Sequence, residues 1–180
     1  MTSFIQSERL DLVPLSPEFM RASLRQDLAA AQQQLPARLP AEWPGDAGGL
    51  LALRLGQLEA DPSYQPWCLR GMCLREAGLM VGYIGFHTAP GAAYLQPYSP
   101  RAVEFGFTVF PSFRRHGYAR EASQALMNWA HHCHGVSEFI LTISPQNTAS
   151  YALAAQLGFV RIASHIDEVD GLEDILERCI

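Results

Sequence analysis

The chain has 180 residues, of which 48% are hydrophobic, and a formal net charge of −5 at pH 7. This length suits one domain with a sizeable core, predicted to span residues 1–180. The acidic balance, without a basic run, disfavours nucleic acid as the main partner. Apolar runs stay short of the roughly eighteen residues of a membrane span, and the N-terminus lacks the order of a signal peptide, so we expect a cytoplasmic protein with no membrane partner.

Strands and helices are predicted along most of the chain. β-Branched and aromatic runs predict strands, and apolar residues at three- and four-residue spacing predict helices. The seven predicted strands are Phe4–Leu15, Trp67–Arg75, Leu79–His87, Val103–Phe110, Glu138–Ser144, Val160–Ile166 and Glu173–Cys179. The predicted helices run from Ser16 or Pro17 to about Leu35, over Leu50–Ala60 with Asp46 as its cap, through Ala119–Cys133, and over Asn147–Leu157. Thr88–Arg101 is predicted as a loop, and the order fits a single mixed sheet with helices on its faces.

The most informative stretch is the turn from Arg114 to Ala119. It lies between a predicted strand and a predicted helix, and the first turn of such a helix presents N–H groups that suit an anion. Arg114, Arg115 and Arg120 add positive charge around it. Many turns of this kind bind nothing, so the pattern alone leaves phosphate binding open. A Walker loop is excluded because the chain has no lysine, and a dinucleotide fingerprint because Gly117 is the only glycine in the turn.

Three blocks of this sequence resemble the GNAT superfamily of acetyl-CoA-dependent N-acetyltransferases. They are Ser7-Glu8-Arg9-Leu10-x-Leu12-x-Pro14-Leu15, the stretch Glu104 to Ala122 that contains Arg114-x-x-Gly117-x-Ala119, and Asn147-x-x-Ser150-x-x-Leu153-x-x-x-Leu157-Gly158-Phe159. The first looks like the family's opening strand, the second contains its (Gln/Arg)-x-x-Gly-x-(Gly/Ala) pyrophosphate loop, and the third looks like its closing helix. The second block is most similar to the RimJ/RimL-type branch, whose members acetylate protein N-termini or small amines.

The resemblance implies an α/β (α+β) fold and a cofactor. The sheet should be mostly antiparallel, with about seven strands, helices on both faces and a splay between the fourth and fifth strands. Acetyl-CoA is implied as co-substrate, without a metal, and its pantetheine arm should lie between the splayed strands. Cofactor contacts are then expected from Phe107, Thr108, Val109, Arg114, Arg115, His116, Gly117, Tyr118, Ala119, Arg120 and Asn147. A backbone N–H near Thr108 or Val109 should meet the oxyanion.

Acetyl transfer to an amine also needs a group that removes the proton of the ammonium form. Glu104 is the first candidate because it interrupts an apolar strand, although it could instead lie on a solvated face or pair with an arginine such as Arg101. His87 is a further possible base, and Glu121 is better explained by the helix dipole. The family's usual tyrosine acid is missing, since Ala154 occupies its position, which leaves Ser150 as the candidate near the leaving thiolate. Asn147 is expected to cap its helix as well as to face the pantetheine.

The remaining cysteines and histidines do not indicate a second chemistry. The four cysteines have no Cys-x-x-Cys spacing and are too few for a disulfide framework. His131 and His134 could share one helix face, but acidic ligands are missing nearby, so no metal site is expected. Histidines at the end of a helix also suit the negative end of its dipole.

The sequence therefore predicts an N-acetyltransferase that works by direct attack of an amine on acetyl-CoA in a ternary complex. The acceptor is either a peptide N-terminus or a small-molecule amine, and Thr88–Arg101 with the first two helices would decide which. A homodimer is possible. The alternative is a GNAT-fold module that binds CoA or a protein partner without catalysis.

Overall fold

The computed structural model describes residues 4–167 and 171–180, which contain eight strands and five α-helices. The strands are β1 Ile5–Gln6, β2 Leu10–Pro14, β3 Arg70–Leu74, β4 Leu79–Phe86, β5 Val103–Val109, β6 Glu138–Ile143, β7 Val160–Asp167 and β8 Gly171–Cys179. The helices are α1 Pro17–Leu24, α2 Leu28–Gln33, α3 Gly48–Ala60, α4 Tyr118–His134 and α5 Thr148–Gln156. Among the described residues, no helix is long and apolar enough to cross a membrane.

The strands form one mixed sheet in the order β1-β2-β3-β4-β5-β6-β8-β7. The pairs β1–β2, β2–β3, β3–β4, β6–β8 and β7–β8 are antiparallel, whereas β5 and β6 are parallel. The prediction of a mixed, mostly antiparallel sheet with helices is confirmed. The registered pairs of β5 and β6 are Val103↔Phe139 and Glu104↔Ile140, at the beginning of both strands, and the expected splay beyond them stays a prediction.

The sheet has eight strands rather than seven because the first predicted strand is two short ones. Ile5 pairs with Leu12, so the chain turns back on itself between them. Ser7 closes this turn, since its N–H donates to the Leu10 carbonyl over 2.9 Å and its side chain lies within 3.1 Å of the same oxygen. Four consecutive polar residues, Gln6 to Arg9, interrupt the apolar pattern at this turn, and the predicted strand ran across them.

The helical predictions near the N-terminus need two corrections. The helix predicted to reach Leu35 is broken at Gln26, whose φ of 60° lies in the left-handed region, and Asp27 caps a new helix by accepting from the Ala30 N–H. The next helix, α3, begins at Gly48 and has no side-chain cap. Asp46 instead lies within the short 3₁₀ turn Gly45–Ala47 that precedes it.

Two compact units are apparent in the chain, and each has its own core. The first comprises Met1–Gly85 and Phe107–Ala125, and its fully buried side chains include Phe19, Met20 and Leu51. The second comprises Phe86–Gly106 and Leu126–Ile180, where Phe105 makes edge contacts with Phe86 and Phe159, each with ring centroids 6.1 Å apart. Burying one such phenylalanine contributes about 1.5–3 kcal/mol, so these rings stabilise the second unit and hold β5 in place.

Candidate functional site

The turn before α4 has a left-handed backbone at two residues and leads directly into the first turn of the helix. Arg115 and Gly117 have φ angles of 65° and 81°, and the Glu121 N–H donates to the Gly117 carbonyl over 3.1 Å as the first turn of the helix closes. The N–H groups of Tyr118, Ala119 and Arg120 precede that bond and lie at the positive end of the helix dipole. Four of the turn's residues are exposed, namely Arg114, Arg115, His116 and Gly117. The geometry therefore offers backbone donors to an anion from solvent.

Two side chains of this turn hold its backbone in shape. The Arg114 Nε donates to the Val109 carbonyl over 3.1 Å, and the His116 Nδ1 lies 2.8 Å from the Arg114 carbonyl. These bonds use the side chains inside the turn, whereas the Arg115 and Arg120 side chains extend from exposed residues. The sequence pattern alone gave all three arginines the same charge-supplying role, and the structure distinguishes a bracing arginine from two peripheral ones.

The first turn of α4 is anchored to the turn between β1 and β2 through Glu121. Its Oε1 accepts from the Ser7 Oγ and the Arg9 N–H, both over 2.6 Å, and its Oε2 lies 2.7 Å from the Arg9 Nε. Burial raises the pKa of Glu121, but the hydrogen bonds from Ser7 and Arg9 outweigh it, and the pKa lies below its usual value. The Arg9 guanidinium also lies 4.8 Å from the centre of the Tyr118 ring. Two of the three sequence blocks thus meet here.

The strand before the turn carries Phe107, Thr108 and Val109, which are all half-buried. The backbone of β5 comes very close to β4 at this point, since a Cβ added to Gly82 would lie 2.2 Å from the Thr108 carbonyl oxygen. The Phe110 N–H donates to the Val81 carbonyl over 3.0 Å and extends that contact. Glycine at residue 82 is therefore required for β5 to run where it does. An oxyanion contact near Thr108 or Val109 stays a prediction.

In the second unit, Glu104 lies in a polar cluster inside an otherwise apolar strand. Its side chain is 7% exposed, and its Oε2 accepts from the Tyr94 Oη over 2.7 Å and lies 3.3 Å from the His87 Nδ1. Burial raises the pKa of Glu104, but hydrogen bonds from His87, Thr142 and Tyr94, with the charge of His87, lower the pKa below its usual value overall. The carboxylate is therefore ionised at neutral pH although it is buried.

The alternatives raised for Glu104 do not match its surroundings. It is not on a solvated face, and Arg101 pairs with a different carboxylate, since its Nη2 lies 2.5 Å from the Glu138 Oε1. Ser99 donates to the other oxygen of Glu138 over 2.8 Å. The register of β5 and β6 explains this arrangement. Glu104 pairs with Ile140, and its side chain bonds Thr142, two residues further along β6.

The sequence did not indicate two partners of Glu104. Tyr94 lies in the Thr88–Arg101 segment, near a short 3₁₀ turn at Ala93–Leu95, and no residue spacing links it to Glu104. Thr142 could have been found only once the register was known, because residues 140 and 142 share one face of β6. His87 was predicted only as a further possible base at a strand end, and its contact with Glu104 is seen in the structure.

The beginning of α5 is as predicted for capping. The Asn147 Oδ1 accepts from the Ser150 N–H over 3.1 Å, and Ser150 is half-buried in the first turn of the helix. Tyr151, the next residue, donates to the Asp174 carboxylate. Ala154 is fully buried, so the position of the family's usual tyrosine faces the packed side of this helix.

The histidines that end α4 have contacts of their own. The Nδ1 atoms of His131 and His132 lie 3.0 Å and 2.8 Å from the carbonyls of Val136 and Asn128, and the ring of His134 packs edge-on against Trp129. Across residues 4–167 and 171–180, no group of three or more histidine, cysteine, aspartate or glutamate side chains is arranged to hold a metal ion. These histidines thus have structural contacts within the helix end.

Comparison with known proteins identifies one family over most of the chain. Residues 9–160 match the family described as acetyltransferase (GNAT) domain. The N-acetyltransferase YjdG of Bacillus subtilis, whose function is uncharacterised, is 25% identical over 159 residues, which are 87% of this chain and 89% of that protein.

Solved structures share the fold. An acetyltransferase of the GNAT family from Bacillus anthracis is 22% identical, with a TM-score of 0.62 over 98% of this chain and 97% of that one. RimL, a ribosomal L7/L12 α-N-protein acetyltransferase solved with coenzyme A, is 17% identical, with a TM-score of 0.65 over 99% and 98% of the two chains. At these identities the match establishes the fold.

Proposed function

The chain belongs to the GNAT acetyltransferase family, whose members use acetyl-CoA, and we propose that it transfers the acetyl group to a primary amine. The reaction is direct attack in a ternary complex, without a covalent enzyme intermediate. The observation that carries this proposal is the buried, ionised carboxylate of Glu104, which lies 3.3 Å from the His87 Nδ1. The same chain has an exposed turn before α4 whose backbone N–H groups can meet an anion. This chain therefore has both a candidate base and a candidate site for the phosphates.

The anion turn is the proposed pyrophosphate site of acetyl-CoA. The N–H groups of residues 115–120 supply the donors, and the positive end of the α4 dipole favours the negative charge. Gly117 permits close approach because it has no side chain and a left-handed backbone. Arg115 and Arg120 add screened charge from the rim, and His116, Tyr118 and Ala119 complete the proposed contact. Acetyl-CoA supplies the activated acetyl group and the thiolate that leaves.

Proton removal is assigned to the Glu104 cluster. An ammonium group is no nucleophile, so its proton must leave before attack. Hydrogen bonds keep Glu104 ionised in a buried position, where its charge acts with little screening. The amine nitrogen then forms a bond to the thioester carbon, the C–S bond breaks, and the second proton of the nitrogen ends on the leaving sulfur. Ser150 is the proposed donor near that thiolate, and Asn147 the proposed contact to the pantetheine arm as well as the cap of α5.

The acceptor class is proposed from a protein of the same fold rather than from a defined pocket. RimL, which shares the fold, is described as acting on the α-amino group of a ribosomal protein. We therefore propose a peptide N-terminus as the first acceptor to test and small primary amines as the second. Tyr94 is the proposed contact to the acceptor at the edge of the site. The residue is 48% exposed, and its hydroxyl donates a hydrogen bond to Glu104.

The test is release of free CoA thiol from acetyl-CoA in the presence of acceptors. Short peptides with a free α-amino group, benzylamine and putrescine serve as acceptors, and the same peptides with a blocked N-terminus serve as matched controls. We expect thiol release with at least one free amine, an acetylated product by mass spectrometry, and a loss of about 100-fold or more in kcat for Glu104→Gln. Thiol release that is equal with free and blocked amines would contradict amine acetylation.

A further inference from the structure

A cavity lies beside the turn before α4. Its volume is about 390 Å³, and it is lined by Glu8, Arg9, Leu74, Arg75, Glu76 and Tyr118. Tyr118 begins α4, and its backbone N–H is one of the donors proposed for the pyrophosphate. The cavity is therefore a neighbour of the proposed pyrophosphate site, and the mechanism proposed for acetyl transfer does not use it.

Two arginines of this cavity stand directly opposite each other on neighbouring strands. Leu10↔Leu74 is the registered pair at this end of β2 and β3, and the Arg75 N–H continues the ladder by donating to the Arg9 carbonyl over 3.0 Å. Side chains opposite each other in an antiparallel pair have Cβ atoms about 4.5–5.5 Å apart, and like charges there destabilise the pair. An anion bound between the two guanidinium groups would offset that repulsion.

The guanidinium group of Arg9 is held against the turn before α4. Its Nε lies 2.7 Å from the Glu121 Oε2, and its central carbon lies 4.8 Å from the centre of the Tyr118 ring. A Cβ added to Gly117 would lie 3.4 Å from the Arg9 Nη2, so this nitrogen is beside the exposed backbone of the turn. Because Glu121 is bonded through Nε, the hydrogens on the two Nη atoms can be donated to a ligand.

Arg75 is fixed on the opposite strand. Its Nη2 donates to the Ser7 carbonyl over 2.9 Å and lies 3.2 Å from the Asp11 Oδ1. These contacts orient the guanidinium group without using its Nη1. The side chains of Arg9 and Arg75 are 43% and 46% exposed, so a ligand can reach both from solvent.

The charges of the cavity suit the nucleoside end of coenzyme A. That end has one phosphate group at C3′ of the ribose, a 2′-hydroxyl and the amino group of adenine. The two arginines match the phosphate, whereas Glu8 and Glu76 oppose further negative charge and can accept from the hydroxyl and amino groups. The same ribose carries the pyrophosphate at C5′, so a pyrophosphate at the turn before α4 brings the 3′-phosphate close to this cavity.

Resting on the proposed pyrophosphate site, we propose that this cavity binds the 3′-phosphate of coenzyme A, with Arg9 as its main contact and Arg75 as its second. Arg9 is then a cofactor-binding residue as well as a partner of Glu121. Such a site distinguishes CoA from dephospho-CoA, which lacks only the 3′-phosphate.

Calorimetric titration with CoA and with dephospho-CoA tests this proposal, because the ratio of the two Kd values isolates the 3′-phosphate. We expect the wild type to bind CoA about 10-fold or more tightly than dephospho-CoA at low ionic strength, since hydrogen bonds from arginine to phosphate are charge-assisted. Arg9→Gln and Arg75→Gln should each lose much of this preference by weakening the binding of CoA alone. Arg25→Gln, at an exposed arginine outside the cavity, is the matched control and should keep the preference.

A purely structural effect of these substitutions would weaken both ligands equally and leave the ratio unchanged. An unchanged ratio in both variants therefore overturns the proposal, even where binding itself is weaker. Arg75→Gln keeps the test open if Arg9→Gln fails to fold, because it leaves the contact between Arg9 and Glu121 in place.

The wild type alone separates this proposal from the one on which it rests. Equal affinity for CoA and dephospho-CoA would overturn the 3′-phosphate site and leave the proposed acetyl transfer standing. Absence of binding of either ligand by the folded wild type would overturn both the cavity assignment and the proposed pyrophosphate site.

Discussion

Two glycines matter for different physical reasons, and only one of them depends on backbone conformation. Gly117 has a φ of 81°, a region that other residues enter at a cost, so its backbone alone explains the choice. Gly106 does not have a left-handed φ. Its absence of a Cβ matters instead, because a Cβ there would lie 3.0 Å from the His87 Nε2. The sequence shows both glycines near the predicted site. The role of Gly106, however, depends on the position of the His87 side chain, which the sequence does not give.

Replacement of Gly106 by alanine should therefore lower turnover without affecting the cofactor. The added methyl would lie 3.0 Å from the His87 Nε2, which is tight enough to shift the ring that contacts Glu104. We expect kcat to fall by about 10-fold or more, with the acetyl-CoA Kd unchanged by calorimetry. Gly56→Ala, within α3 and with no atom within 4 Å of its Cβ, is the control and should keep wild-type kcat. Wild-type turnover in Gly106→Ala would show that the position of the His87 ring beside Glu104 does not affect the reaction.

At the scale of elements, α4 and the β1–β2 turn are joined by one carboxylate. Helix periodicity and the dipole correctly place Glu121 in the first turn of α4, and a dipole interaction alone explained it at that level. The structure adds three bonds to Ser7 and Arg9, more than a hundred residues earlier in the chain. Such a contact has no local signature, because neither partner shows a spacing relative to the helix.

The Glu121 anchor predicts a pH-dependent difference in stability. Its folded pKa lies below that of the unfolded chain, so the carboxylate's contribution is fully present above the usual value of 4.5 and is lost as pH falls through the folded pKa. We expect Glu121→Gln to lower the free energy of unfolding by about 1 kcal/mol at pH 7, and the difference to shrink below about pH 4.5. Urea unfolding at several pH values measures it. Glu59→Gln, at an exposed pair, should change stability by less than about 0.5 kcal/mol, and a pH-independent difference for Glu121→Gln would contradict the account.

The two side-chain caps that begin α2 and α5 allow structure and binding to be separated. Asp27 and Asn147 each accept from the N–H three residues on, at 3.0 Å and 3.1 Å. Their alanine variants should each lose about 1 kcal/mol of stability in thermal or urea unfolding. Because Asn147 is also the proposed pantetheine contact, only Asn147→Ala should weaken acetyl-CoA binding in calorimetry. Equal affinity in both variants would leave Asn147 with the capping role alone.

At the scale of the whole molecule, the chain order of strands and helices was predictable and the local breaks were not. Periodicity and turn residues predict the mixed sheet, because they record which faces are buried. The hairpin at Ser7 and the helix break at Gln26 fall in short polar runs, and their geometry depends on local hydrogen bonds at Ser7 and on the left-handed backbone of Gln26. The anion turn and Glu104 were found from the family resemblance and an out-of-pattern charge. The side chains around Glu104 could not be predicted without knowing the register of β5 and β6.

The central claim, acetyl-CoA binding at the turn before α4, is tested most directly by calorimetric titration of the wild type, Gly117→Glu and Gly45→Glu with acetyl-CoA. Gly45→Glu is the matched control, since it adds the same charge at an exposed glycine with a positive φ and no atom within 4 Å of its Cβ. We predict saturable binding for the wild type and Gly45→Glu, and its loss in Gly117→Glu, where a carboxylate meets the pyrophosphate. Wild-type affinity in Gly117→Glu, or no binding by the folded wild type, would contradict this account.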